Sequence, residues 1–79
     1  MIHAEVALYP LKTSDASEVI NNSIDTLRNQ GVQFSVGSMD THIHGTEEQV
    51  WGSLRSLFDT AQRSGEVSMV VTITNAADQ

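Results

Sequence analysis

The sequence predicts a single α+β domain, a ferredoxin-like βαββαβ sandwich with a four-stranded antiparallel sheet and two helices on one face. Three observations predict it. The chain has 79 residues, enough for one domain and too few for two, so 1–79 is read as one unit. Four short stretches alternate apolar and polar residues, and two longer ones repeat apolar residues at three- and four-residue steps. Their order is strand, helix, strand, strand, helix, strand. Right-handed crossovers and a short central hairpin then favour the split βαβ plait, with the first and third strands central.

Residues 2–9 form the first strand: Ile2, Ala4, Val6 and Leu8 alternate with His3, Glu5, Ala7 and Tyr9. Pro10 ends it, because proline has no N–H for the ladder. A helix over 15–29 carries Ala16, Val19, Ile20, Ile24 and Leu27 as one stripe. Ser14 or Asp15 caps it, with Glu18 at capping-box distance from Asp15. Gly31 suits a left-handed helix end.

The second strand, 32–37, sets Val32, Phe34 and Val36 against Gln33, Ser35 and Gly37. A polar turn over 37–40 leads into the third strand, 41–45, with Thr41, Ile43 and Gly45 on one side and His42 and His44 on the other. The second helix spans 47–63. Thr46 and Gln49 form a capping box, and Glu47 and Glu48 suit the positive end of the helix dipole. Val50, Trp51, Leu54, Leu57, Phe58 and Ala61 make its stripe. Residues 67–74, VSMVVTIT, are the last strand, and 75–79 are a polar tail expected to fray.

Composition narrows the functions. Four Lys/Arg against ten Asp/Glu leave a net charge of −6, which disfavours phosphate backbones and anionic membranes and mildly favours cationic ligands. No nucleic-acid or membrane partner is expected. With no cysteine, neither a disulfide framework nor a cysteine zinc site is available. The opening MIHAEVALYP lacks a basic leader region and alternates like a strand, so a cytoplasmic location is expected.

Both crossovers place their helices on the same side of the sheet. Ala4, Val6, Leu8, Phe34, Val36, Ile43, Val71 and Ile73 are expected to face them. The opposite face then carries His3, Glu5, Ala7, Tyr9, Gln33, Ser35, His42, His44, Val70, Thr72 and Thr74. That set mixes rings, imidazoles and hydroxyls with one carboxylate. It suits a subunit interface, a ligand pocket, or both; it equally suits a plain solvent face built of good strand formers.

Chemistry on that face is sparse. His42 and His44 share a strand side, with His3 and Glu5 on the neighbouring strand, so a metal site on His3, His42 and His44 is one alternative. Ser35, a histidine and Glu5 allow a triad on paper. There is no strained elbow, glycine-rich oxyanion loop or carboxylate pair, so no catalytic residues are assigned and the chain is not expected to be an enzyme. Trp51, early in the second helix, either joins the core or walls a pocket near Gly45.

The stretches AEVALYPL, VGSMDTHIHGT and GEVSMVVTITN, in this order and with these helices between them, resemble the YkoF type of thiamine- and hydroxymethylpyrimidine-binding proteins. The resemblance covers 2–75. It implies a ferredoxin-like fold joined into dimers or tetramers through its sheets. It also implies non-enzymatic binding of thiamine or its hydroxymethylpyrimidine moiety, in salvage or transport, with no cofactor. Ser38 stands where family hairpins often carry proline, and Asp40 where they carry glycine or serine; Thr41 and Gly45 match.

An aminopyrimidine needs an apolar slot, a stacking ring and a few polar partners. Tyr9 or Trp51 is expected to stack on it, and Glu5 or Asp40 to accept from its exocyclic amine. Ser35, Thr41, Thr72 or Asn75 would satisfy its ring nitrogens, and His42 and His44 complete the candidate set. Negative charge suits a cationic thiazolium. A structural or regulatory oligomerisation module without a small-molecule ligand remains the other alternative.

Overall fold

A computed structural model describes residues 1–76. The chain runs β1 (Ile2–Pro10), α1 (Ala16–Asp25), a 3₁₀ turn (Thr26–Asn29), β2 (Gln33–Val36), β3 (Thr41–Gly45), α2 (Glu47–Gln62) and β4 (Val67–Thr74). The sheet is antiparallel throughout, in the order β2-β3-β1-β4. The expected α+β plait, with β1 and β3 central, is the observed one. Of the tail, 77–79 lie outside the described residues.

The core lies between the helices and one face of the sheet. It gathers Ala4, Val6 and Ile43 from the central strands with Ile24, Leu27, Val50, Leu54 and Leu57 from the helical layer. Along α2 the buried positions Val50, Ser53, Leu54, Leu57 and Ala61 keep the three- and four-residue rhythm of one helix face. Ser23 and Ser53 are fully buried. Each hydroxyl donates to the carbonyl one turn back, Val19 O and Gln49 O, both at 2.8 Å. A buried hydroxyl thus keeps a partner and needs none across the core.

The two helix starts differ. Thr46 accepts from Gln49 N at 3.1 Å, and the Gln49 side chain accepts from Thr46 N at 3.0 Å, closing the expected capping box. The box expected for Asp15 and Glu18 does not form, because Asp15 makes no side-chain cap bond. Asp15 N instead donates to Thr13 Oγ1 at 3.1 Å, a local turn ahead of the helix. The first helix also stops being α-helical at Asp25 and tightens into the 3₁₀ turn. Thr26 Oγ1 donates to Ser23 O at 2.7 Å, so side-chain bonding competes with the helical ladder there.

Three expected core positions lie at the surface. Val36 is 58% exposed at the end of the edge strand β2, and Ile73 is 36% exposed near the end of the other edge strand. Two helices cannot cover both ends of both edges. Trp51 is 53% exposed and is not a core residue; one step along α2 from buried Val50, it is turned about 100° off the buried stripe. Thr41, by contrast, is buried on the same side as Ile43.

Gly31 and Gly65 take positive φ values of 75° and 133°, the left-handed helix exits that favour glycine. Gly45 is required for a different reason. A Cβ there would lie 2.9 Å from Gln49 Oε1 and 3.2 Å from Val32 Cγ1, so the capping box of α2 rests against its backbone.

Candidate functional site

The sheet face away from the helices is ordered by strand register. Ser35 pairs with His42, His42 with Glu5, and Glu5 with Thr72. Gln33 pairs with His44, His44 with His3, and His3 with Thr74. Two rungs of side chains therefore cross all four strands, one above the other. Neighbours within a rung are about 5 Å apart, close enough to interact directly.

Each rung has a polar contact at its centre. His3 and His44 stack with ring centroids 4.2 Å apart and planes within 14°. His44 Nδ1 lies 3.5 Å from Gln33 Oε1. In the other rung, His42 Nε2 lies 3.3 Å from Glu5 Oε2 and 3.5 Å from Asp40 Oδ1. Asp40 reaches this point from the hairpin turn, which is closed by Gly37 N donating to Asp40 O at 2.7 Å. Period-two geometry then puts Asp40 on the His42 side of β3.

Between and above these rungs is a concavity of about 740 Å³. It falls within the usual size range of small-molecule sites, about 300–1,000 Å³. Glu5, Ser35, His42, His44 and Thr72 line it, joined by His3, Gln33, Thr74 and Ala76. The arrangement offers the outer faces and edges of a stacked imidazole pair, a carboxylate in the next rung, and hydroxyl and amide groups around the rim. It suits a planar polar ring with an attached cation.

The other candidate residues lie elsewhere. Tyr9 is at the far end of β1, paired with Ser68 and 51% exposed. Asn75 follows β4, exposed and outside the lining. Thr41 points to the helix side and, with Asp40, lines a second cavity of about 90 Å³ beneath the hairpin, beside Met39, Ile20 and Ile24. Trp51 lines neither cavity. Sequence reasoning left His3, Gln33 and Thr74 out of the candidate ligand set, although alternation already placed them on this face. Only the register shows that they form one rung with His44.

No helix among the described residues is long and apolar enough to cross a membrane. No curated protein matches the sequence. Solved structures do match the fold. A Streptococcus pneumoniae protein superposes with a TM-score of 0.88 at 22% identity, covering 95% of this chain and 86% of its own. A Bacillus cereus domain of unknown function, DUF77, gives 0.83 at 20% identity, with 95% and 75% covered. A Thermotoga maritima protein described as a candidate for thiamine biosynthesis or salvage gives 0.81 at 19% identity, with 96% and 84% covered. The sequence also matches the profile of the YKOF-related family over residues 1–77. With nearly its whole length inside that match, the chain belongs to the YKOF-related family.

Proposed function

We propose that this protein binds thiamine or its hydroxymethylpyrimidine moiety on the open face of the sheet, without catalysing a reaction, in a salvage or transport role. One observation carries the reading: in a chain of the YKOF-related family, the uncovered sheet face holds a concavity of about 740 Å³ lined by a stacked histidine pair and a carboxylate. The His3–His44 pair presents a ring surface for the aminopyrimidine. Glu5 accepts from its exocyclic amine, and Ser35, Thr72 and Gln33 serve its ring nitrogens. The net charge of −6 favours the thiazolium. The T. maritima neighbour's thiamine-related description points the same way.

Calorimetric titration of the full chain with thiamine and with hydroxymethylpyrimidine tests this. Saturable binding of either supports it, and no heat at millimolar ligand sinks it. Trp51 is a poor reporter, because it lies outside the concavity.

A second reading, a self-association module, rests on the other end of the same face. There Tyr9 and Val70 are 51% and 58% exposed, on strands that pair with each other. The two readings are compatible: a second copy seated on β1 and β4 closes the face and leaves the concavity at its margin. Sedimentation at micromolar concentration separates them, since a monomer that still binds the ligand discards the second and keeps the first.

A further inference from the structure

We infer that Glu5, Asp40 and His42 form a binding site for a divalent transition-metal ion of the zinc type. The site shares Glu5 with the proposed thiamine site but needs no organic ligand to form. Three donors from two strands and a turn converge: His42 Nε2, a Glu5 carboxylate oxygen and an Asp40 carboxylate oxygen all lie within 4.8 Å of one another. The two edges meeting at His42 measure 3.3 and 3.5 Å. A tetrahedral ion with bonds of about 2.0–2.2 Å separates its ligand atoms by about 3.3–3.6 Å. Two edges of the polyhedron are therefore already in place. The third, between the two carboxylates, is no longer than 4.8 Å, and the half-exposed Glu5 side chain is free to adjust it.

Hydrogen bonding explains the same distances less well. Charge-assisted N–H···O contacts shorten to about 2.7–2.9 Å, and both contacts here are longer. A single Nε2 proton shared between two carboxylates makes two weakened bonds and leaves most of their charge uncompensated. Two like charges meeting at one imidazole nitrogen are costly in an already acidic protein, and a shared cation removes that cost.

The donor set also chooses the ion. One imidazole with two carboxylates suits zinc, cobalt or nickel rather than calcium or magnesium, which take oxygen ligands. Three protein donors leave at least one position for water or a ligand group. Glu5 and His42 both line the large concavity, so the ion sits at its margin. The alternative set on His3, His42 and His44 is not supported. The nitrogen lone pairs that bind a metal lie in the imidazole plane, and the His3 and His44 rings are stacked within 14° of parallel, so these lone pairs do not converge on one point.

The test is calorimetric titration of the untagged, chelator-stripped full chain with zinc chloride, repeated with cobalt chloride while visible absorption is followed. The expected result is saturable binding of one ion per chain, lost in His42→Ala and weakened about tenfold or more in Glu5→Gln and Asp40→Asn. His3→Ala retains parent affinity. Thermal melts check each variant, and the near-isosteric Glu5→Gln and Asp40→Asn decide the matter if His42→Ala does not fold. Absence of saturable binding, parent-like affinity in the folded carboxylate variants, or equal loss in His3→Ala overturns the site. The titration contains no thiamine, so its failure leaves the ligand proposal standing.

Discussion

The imidazole of His3 lies flat against that of His44, 4.2 Å between centroids and 14° from parallel, on adjacent central strands. Neither side chain is fully buried, so the pair is a surface platform and not a core contact. Stacked on each other, the two rings keep only their outer faces and edges for a planar ligand.

Replacing His3 or His44 by alanine is therefore expected to weaken thiamine or hydroxymethylpyrimidine binding about two- to tenfold, the scale of one stacking contact at roughly 0.5–1.5 kcal/mol. Calorimetry measures the loss. Urea melts are expected to move by about 1 kcal/mol or less, since each variant also loses the half-exposed His3–His44 stack. Unchanged affinity in both variants would remove the platform from the binding site.

Trp51→Ala is expected to leave ligand affinity and stability nearly unchanged, within about 0.5 kcal/mol. The indole is half exposed and lines neither cavity. A large loss of affinity would show that the ligand binds at the start of α2 and not on the sheet face.

Gly45→Ala is expected to destabilise the fold by about 1–2 kcal/mol, because the new methyl meets Gln49 Oε1 at 2.9 Å and displaces one half of the capping box. A double-mutant cycle with Gln49→Ala, read by chemical denaturation, checks the cause. If the glycine matters only for its turn, the two effects add. If the box is the target, they do not.

Leu57→Ala removes a fully buried side chain from the core cluster. A loss of about 2–5 kcal/mol is expected, a large share of the stability of a domain this small. The midpoint of denaturant unfolding measures it.

Val70→Lys places a charge on the exposed apolar end of the sheet face, where Val70 is 58% exposed. Sedimentation is expected to show weaker self-association with an unchanged melting temperature. A melting temperature that falls with no change in association would make Val70 a packing residue of the monomer.

Much of the architecture was legible in the residues themselves. Period-two alternation located β3 and β4 at their observed bounds, and Thr46 with Gln49 announced the cap of α2. These signals are local, and local physics produces them. Asp15 misled because spacing names a capping residue without fixing its side chain: the Asp15 N–H is held by Thr13 Oγ1, and its carboxylate caps nothing. Val36 misled because alternation reports which side a residue faces, not whether anything covers it.

Composition and the two-residue repeat of a strand are enough to set the order of elements, the acidic balance and which residues share the uncovered face. Tertiary structure alone decided who meets whom on that face. Register joined His44 to His3 and His42 to Glu5, and the hairpin turn carried Asp40 in to join them. Contacts between residues 37 or more positions apart, as Glu5 and His42 are, arise from how strands slide against one another to bury their inner faces. No spacing along the chain encodes that slide.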